Sequence, residues 1–529
     1  MKHKSLIKTL LLLFPFLLVG CNEEHFPDVP QETEESYNLD QNGFYILDDK
    51  YINDNRGDFN NVYIPVFADG QPLATSIKLF VAGKEAPVYN VKTNFSQTWN
   101  GNTQTRMNNA VCTIGIKNEI EVIVQTNFNI KNEVTIRPLA KEVSCKIKES
   151  LRFIKFKIKS SGQYTVEFRN DRTLHLFVND FDKMNFDYIG KNYMVFEPGV
   201  HTHQNDSRIN SSNEVVLNSN QTVYIHPSAV VHAKFIAREK SNIKIFGCGY
   251  IDGQNFIRNQ LTGEATVPIE FNFCNNITLE DFAIIDPAAW VFNICWCRDS
   301  KIKNCKVISS RSNGDGISIQ SCTNIEVSDC FIRSWDDSLV VKNYKDWRNG
   351  NLGYTDTIKF HDCLIWTDLA QSMEIGYETV GEHMENISFE NITVLHNFHK
   401  PIFSIHNGNQ ARIKNVSYKN IIVEDASMGK GDGNNVLLQF ENCYSSTWSD
   451  QYGSYPIGDV DGVTMENITV LSGIQNPRLE ISGFEEFRSG FAKKISYVKN
   501  VSISNFKLYG RTITLNDINV SLAENIRVN

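Results

Sequence analysis

The chain has 529 residues, 52 Lys and Arg against 61 Asp and Glu, and a formal charge of -9. That length exceeds what one ordinary hydrophobic core serves, so two domains or one elongated repetitive domain are expected. The acidic balance, with no dense Lys/Arg patch in the body, argues against a nucleic-acid partner, because backbone binding needs concentrated positive charge. A neutral or polar polymer fits better, and 33 Phe with 19 Tyr exceed what a disordered chain carries.

At the N-terminus, Lys2, Lys4 and Lys8 precede an apolar run over 9–19 that is too short to cross a bilayer as a mature helix. Leu18-Val19-Gly20-Cys21 resembles the lipobox of bacterial lipoproteins. The resemblance implies that 1–20 is a signal peptide and that lipid is attached at Cys21. The acidic, polar stretch 21–42 would then be a flexible tether. Such a protein sits on a bacterial membrane, expected to be the outer one, at the cell surface or the periplasmic face, without spanning it.

Over 43–188 the sequence runs in short alternating segments such as "NVYIPVFAD", "SIKLFVAG", "EVIVQTNF", "LRFIKFKIK" and "LHLFVN". Segments of this length with polar turns and no sustained period of 3.6 predict an antiparallel β-sandwich, serving as support or as substrate contact.

The pattern then changes to repeats over 189–529. A polar-apolar pair recurs at Asp281-Phe282, Asn304-Cys305, Asp329-Cys330, Asp362-Cys363, Asn391-Ile392, Asn420-Ile421, Asn467-Ile468 and Asn505-Phe506, at intervals of 23, 25, 33, 29, 29, 47 and 38 residues. A floor in the low twenties with upward variation is what stacked coils of three short strands give when loops are inserted on one side. Segments such as "NIEVSDCFI" and "NISFENITV" alternate, bend at Asp or Asn, and resume. The inward residues should stack from coil to coil, Cys330 between Cys305 and Cys363 and on through Ile392 and Ile421, while the corner Asp and Asn adopt left-handed geometry and form an outer ladder. A leucine-rich repeat would need regular leucines and a propeller longer units. The expected fold is therefore all-β: a right-handed parallel β-helix behind an antiparallel sandwich, with 343–356 and 425–458 as wall-forming loops.

Eleven cysteines remain after Cys21. A disulfide framework is conceivable, but the repeat positions of Cys305, Cys330 and Cys363 suit buried side chains better. No metal-ligand spacing is present, since Cys295 and Cys297 have only Cys305 and Cys322 nearby and no clustered histidine. Neither metal nor cofactor is expected.

Asp315 precedes the pair Asp336-Asp337 by 21 and 22 residues, close to one short coil, so the three acids can converge on one face. Convergent carboxylates repel, raise the proton affinity of at least one of them, and keep a neutral acid available near neutral pH. Glycoside hydrolysis needs that asymmetry. Asp336 is assigned as general acid, and Asp315 with Asp337 as the water-activating group.

The segment from 192 to 521 resembles the pectin-lyase-like β-helix glycoside hydrolases, particularly the dextranase and isopullulanase family (family 49) and the polygalacturonase family (family 28). "SNGDG" at 312–316 is similar to the first acidic motif of that clan and "WDDSLVVKN" at 335–343 to the second. The resemblance implies inversion of configuration with the roles just given. "QTVYIHPSAVVHAKF" and "NIKIFGCGYIDGQ" resemble the opening coils, and the preceding domain resembles the sandwich of dextranases. No Gly-His-Gly follows the acid pair; "WTDLAQSMEIGYE" stands there and resembles the dextranase-like arrangement. "ARIKNV" at 411–416 resembles a uronate-reading element, but its register places Arg412 and Lys414 among structural ladder residues.

Lys342 is the basic residue expected to meet sugar or to steady a carboxylate. Trp290, Trp335, Trp366 and Tyr377 fall near corners of successive coils, where flat faces suit sugar rings. His399 and His406, near His396, are further sugar-binding candidates, and Glu374 and Glu378 are reserve acids. The expected partner is a polysaccharide or its oligosaccharides, besides the lipid of the anchor. Two other readings stand beside hydrolysis: a polysaccharide lyase acting on a uronate-containing glycan, and a noncatalytic glycan-binding surface lipoprotein.

Overall fold

A computed structural model describes residues 38–52, 59–94, 106–131, 133–169, 171–257, 266–427, 435–451 and 453–529. Cys21 and most of the expected tether lie outside the described residues. No helix among those described is long and apolar enough to cross a membrane.

The first domain packs a five-stranded sheet against a six-stranded one. Their shared core includes Leu79, Val122, Val124, Ile154, Val166 and Leu176, supplied by alternate residues of strands such as Ile77–Val81 and Phe153–Ile158. One pairing departs from the expected antiparallel pattern: Thr173–Asp180 runs parallel to Arg106–Ile116.

From Met194–Phe196 onward the chain winds as a right-handed parallel β-helix. Each coil as far as Thr393–Asn397 gives one strand to an 11-stranded parallel sheet and two to interleaved files of a 21-stranded sheet. The coils after it give single long strands, such as Arg412–Val423 and Val460–Val470, that run through both files. The coil containing "NIEVSDCFI" shows how the sequence makes this shape. Ile325 and Val327 point into the core, Asn324 and Asp329 turn the chain at φ +53° and +57°, and Cys330 points in again. Asn and Asp tolerate this left-handed backbone better than other non-glycine residues. They also join in outer ladders, Asn467 donating to Asn420 at 3.0 Å and Asn420 to Asn391 at 3.1 Å.

Cys305, Cys330, Cys363, Ile392 and Ile421 stack inward in the expected order, all with no exposed surface. A second thiol column, Cys274, Cys297 and Cys322, was not anticipated. Here the Cys274 N–H donates to Cys297 Sγ at 3.3 Å and the Cys297 N–H to Cys322 Sγ at 3.2 Å.

The sandwich docks on the outer side of one file of the helix. Tyr89, Val91, Val111 and Phe177 pack on Val230, Tyr250, Ala283, Ile285, Ile308, Phe331, Trp366 and Leu395. Around this apolar seam run buried ionic contacts. Arg333 donates to Asp368 and, at 2.9 Å, to His175 Nε2, while Arg137 bridges Glu167 and Glu424 at 2.7 Å each. Two of the covered strands, Lys306–Ile308 and Phe331–Ser334, lead into the acid-bearing turns.

Candidate active site

Consecutive coils enter the 11-stranded sheet through short turns. The turn before Ile317–Gln320 carries Asp315, that before Leu339–Asn343 carries Asp336 and Asp337, and that before Met373–Thr379 carries Gln371. Ile317 pairs with Leu339 and Leu339 with Met373. Extending this alignment back by two residues sets Asp315, Asp337 and Gln371 abreast. The Gly316 N–H donates to Asp337 O at 2.7 Å and the Ser338 N–H to Gln371 O at 2.9 Å. Neighbouring strands lie about 4.8 Å apart, so acids 22 residues apart in sequence become neighbours.

The Gly-Asp-Gly text follows from this crowding. A Cβ at Gly316 would strike the Ser338 carbonyl oxygen and the Ile332 side chain, and one at Gly314 would meet the Arg311 carbonyl oxygen at 2.6 Å. Beneath the turns runs a chain of buried hydroxyls, Ser334 to Ser338, Ser338 to Thr367 and Thr367 to Ser372, each step 2.7 Å. Ser334 also donates to the Asp336 carbonyl at 2.7 Å, and Ser309 Oγ accepts the Trp335 N–H at 3.1 Å. These contacts fix the backbone that aims the acids, and they were not anticipated. The repeat text locates corners, but not which hydroxyls meet across coils.

Asp315 and Asp337 are buried while Asp336 is partly exposed. Burial first, and then the neighbouring carboxylates, push Asp315 and Asp337 well above the usual carboxylate range. Lys342 opposes this for both acids, its Nζ lying 3.8 Å from Asp315 Oδ2 and 3.1 Å from Glu378 Oε2. Burial alone would lower the Lys342 ammonium, yet Glu378, Asp315 and Asp337 hold it well above its ordinary value. Asp337 Oδ1 accepts the Gln371 N–H at 3.1 Å, and Asp336 Oδ1 accepts the Asp337 N–H at 3.0 Å. Asp315, Asp336 and Asp337 thus form one group of interacting carboxylates, with Asp336 partly open to solvent.

The other candidates divide. Trp290, partly exposed, stands one coil before Asp315 in the same alignment, with Lys342 Nζ 5.7 Å from its ring centre. Glu378 reaches Lys342 because the pairing of Leu339–Asn343 with Met373–Thr379 slips after Val341, setting three residues opposite Lys342 alone. Glu374 and His406 are buried and face each other, 2.7 Å from Oε1 to Nδ1, and Tyr377 stacks flat on His406 at 4.3 Å and 5°.

Trp366, by contrast, does not stand with the acids. It lies in the seam with the sandwich, where Arg333 covers its ring at 4.1 Å and His175 meets it edge-on. Its strand is one the first domain covers, and an isolated repeat gives no sign of that cover. Trp335 at 2 % exposure and His399 at 0 % present no face to a sugar. His396 belongs to the seam, between Glu167 and Asp425. Arg412 and Lys414 open a strand of the 21-stranded sheet, away from the acids.

Among solved structures the chain is similar to Dex49A from Penicillium minioluteum, with a TM-score of 0.59 and 14% identity over 87% of this chain and 94% of that one. It also resembles a Yersinia enterocolitica family 28 exopolygalacturonase, at a TM-score of 0.42 and 12% identity over 77% of this chain and 96% of that one. In sequence, 115 residues are 29% identical to a probable polygalacturonase of Vitis vinifera, 21% of this chain and 23% of that protein. A second probable polygalacturonase, from Arabidopsis thaliana, is 27% identical over 101 residues, 19% of this chain and 22% of that protein. The chain therefore spans under a quarter of the length of these curated relatives. The model of Glycosyl hydrolases family 28 matches residues 198–472, just over half of the chain, and the chain belongs to that family.

Proposed function

We propose that this protein is an inverting glycoside hydrolase acting on a polysaccharide or its oligosaccharides. The observation that carries the reading is the meeting of Asp315, Asp336 and Asp337 at one end of the 11-stranded sheet, with Asp336 the most open to solvent. In this reading Asp336 gives its proton to the glycosidic oxygen as the bond to the anomeric carbon breaks. Asp315 and Asp337 take a proton from water as its oxygen bonds to that carbon from the opposite face. The bond is replaced by one hydroxyl on each product. Proton exchange with solvent resets the acids. Lys342 opposes the rise in proton affinity that burial gives Asp315, a positioning role consistent with its 3.8 Å approach.

Two buried cations on the acid-bearing sheet are held by carboxylates, Lys342 by Glu378 and His406 by Glu374. That pairing supports an uncharged glycan over a uronate, and it does not favour a lyase, whose substrate carboxylate needs charge to offset it. The lipobox-like stretch ending at Cys21 supports anchorage to a bacterial membrane, and Cys21→Ser should move the protein from the membrane to the soluble fraction.

Digestion of dextran, galactan and polygalacturonate by the parent chain and by Asp336→Asn tests the catalytic reading. Fragments are expected from the parent on at least one polymer and none from the folded variant. Equal activity in the two would refute the role of Asp336.

A further inference from the structure

At the far end of the acid-bearing strands, successive coils turn from the 11-stranded sheet into the 21-stranded one. The corner residues are Glu239, Phe273, Trp296 and Ser321, at φ +54°, +56°, +56° and +50°. Elsewhere such left-handed corners are mostly Asn or Asp, which adopt this backbone readily. A bulky aromatic residue there is strained, and two on adjacent coils point to a use for the rings. Trp296 lies nearly parallel to Phe273, at 5.9 Å and 22°, and Tyr354 stands edge-on to Trp296 at 6.5 Å. The inserted loop brings Trp347 edge-on to Phe273 at 4.6 Å and the Arg348 guanidinium over the Phe273 ring at 3.4 Å.

Phe273, Trp296, Tyr354 and Arg348 wall a cavity of about 370 Å³ whose remaining lining is polar apart from Cys274 and Cys297; Trp347 stands just outside that lining, against Phe273. Ser321, on its rim, is six residues beyond Asp315, roughly 20 Å along an extended strand. We propose that this cavity is a second, noncatalytic glycan-binding site that takes one or two uncharged sugar rings of a polysaccharide.

A sugar offers apolar C–H faces to rings and hydroxyls to a polar rim, and the cavity supplies both. An apolar peptide or acyl chain would bury the rim groups without partners. Arg348 is paired with Asp346 at 2.8 Å and with Glu239 at 3.0 Å, so its charge is offset, while Arg298 on the exposed rim offers N–H donors to sugar hydroxyls. Were the rings present only to pin the loop, they would be enclosed by it. Tyr354 instead keeps 46 % of its surface exposed. The volume is at the lower end for small-ligand sites and suits a short stretch of polymer rather than a whole chain.

The test uses the full chain carrying Asp336→Asn, so that no probe is consumed, in affinity electrophoresis through gels containing dextran, galactan or polygalacturonate. Retention by one of the neutral polymers is expected, and Trp296→Asn, which suits that left-handed corner, with Tyr354→Ala should weaken it roughly tenfold, as loss of two stacking faces implies. In the active background the same pair should leave kcat/KM on a short oligosaccharide unchanged. Retention within twofold of the parent, or no retention on either neutral polymer, overturns the site. Because cleavage is scored separately, loss of retention in a chain that cleaves nothing would uphold this site while sinking the hydrolase reading.

Discussion

Lys342 Nζ lies 3.8 Å from Asp315 Oδ2, a buried cation against a buried acid one strand away. The ammonium draws down a carboxyl that burial and Asp336 push up. With Lys342→Met, Asp315 should bind its proton still more tightly. If Asp315 must be ionised to activate water, the acidic limb of the kcat/KM profile moves to higher pH, and kcat/KM at neutral pH falls by roughly 10- to 100-fold. A pH–rate profile of both proteins decides this, and an acidic limb left in place would show that Lys342 does not act through Asp315.

His406 gives a stability prediction. Burial would lower its imidazole, but the adjacent Glu374 outweighs burial and raises it to about 9. The folded protein therefore holds a proton that an unfolded histidine, with a pKa near 6.5, gives up first. The stabilisation is full below pH 6.5 and is lost as pH rises through 9, about 3 kcal/mol in all. Urea denaturation at pH 6 and pH 10 should show that loss in the parent and a flatter dependence in His406→Gln. Equal dependence in the two would contradict the pairing.

Arg333 is wholly buried, as is Asp368 beside it, at 3.3 Å from Arg333 Nε to Oδ2. Arg333→Met would leave Asp368 and its neighbours to bear an uncompensated charge beneath the sandwich seam, a cost of about 3 to 5 kcal/mol. A lower midpoint of unfolding is expected, measured by denaturant titration. Because Arg333 sits three residues before Asp336, kcat should fall as well. A change below about 1 kcal/mol would mean that the seam tolerates the loss.

Much of the helix was legible because its signal is local. The corner Asn and Asp and the Cys305, Cys330 and Cys363 column each follow from a period that one coil shows and the next repeats. The neighbouring relation of Asp315 and Asp337 was legible for the same reason, a 22-residue step close to one coil. Trp366 was misplaced because its outward face is covered by a domain more than a hundred residues earlier in the chain, and covering by distant sequence leaves no mark on the repeat. The approach of Glu378 to Lys342 depends on a slip in strand pairing after Val341, which alternation alone does not encode. Gln371 was missed because it acts through its backbone N–H, a group every residue but proline carries.

The account rests on acid and base acting from opposite sides of one glycosidic bond. Its most direct test is the anomeric configuration of the first product, read by proton NMR in the first minutes of digestion before mutarotation. The account predicts the configuration opposite to that of the bond cleaved. A product that keeps the original configuration would contradict it.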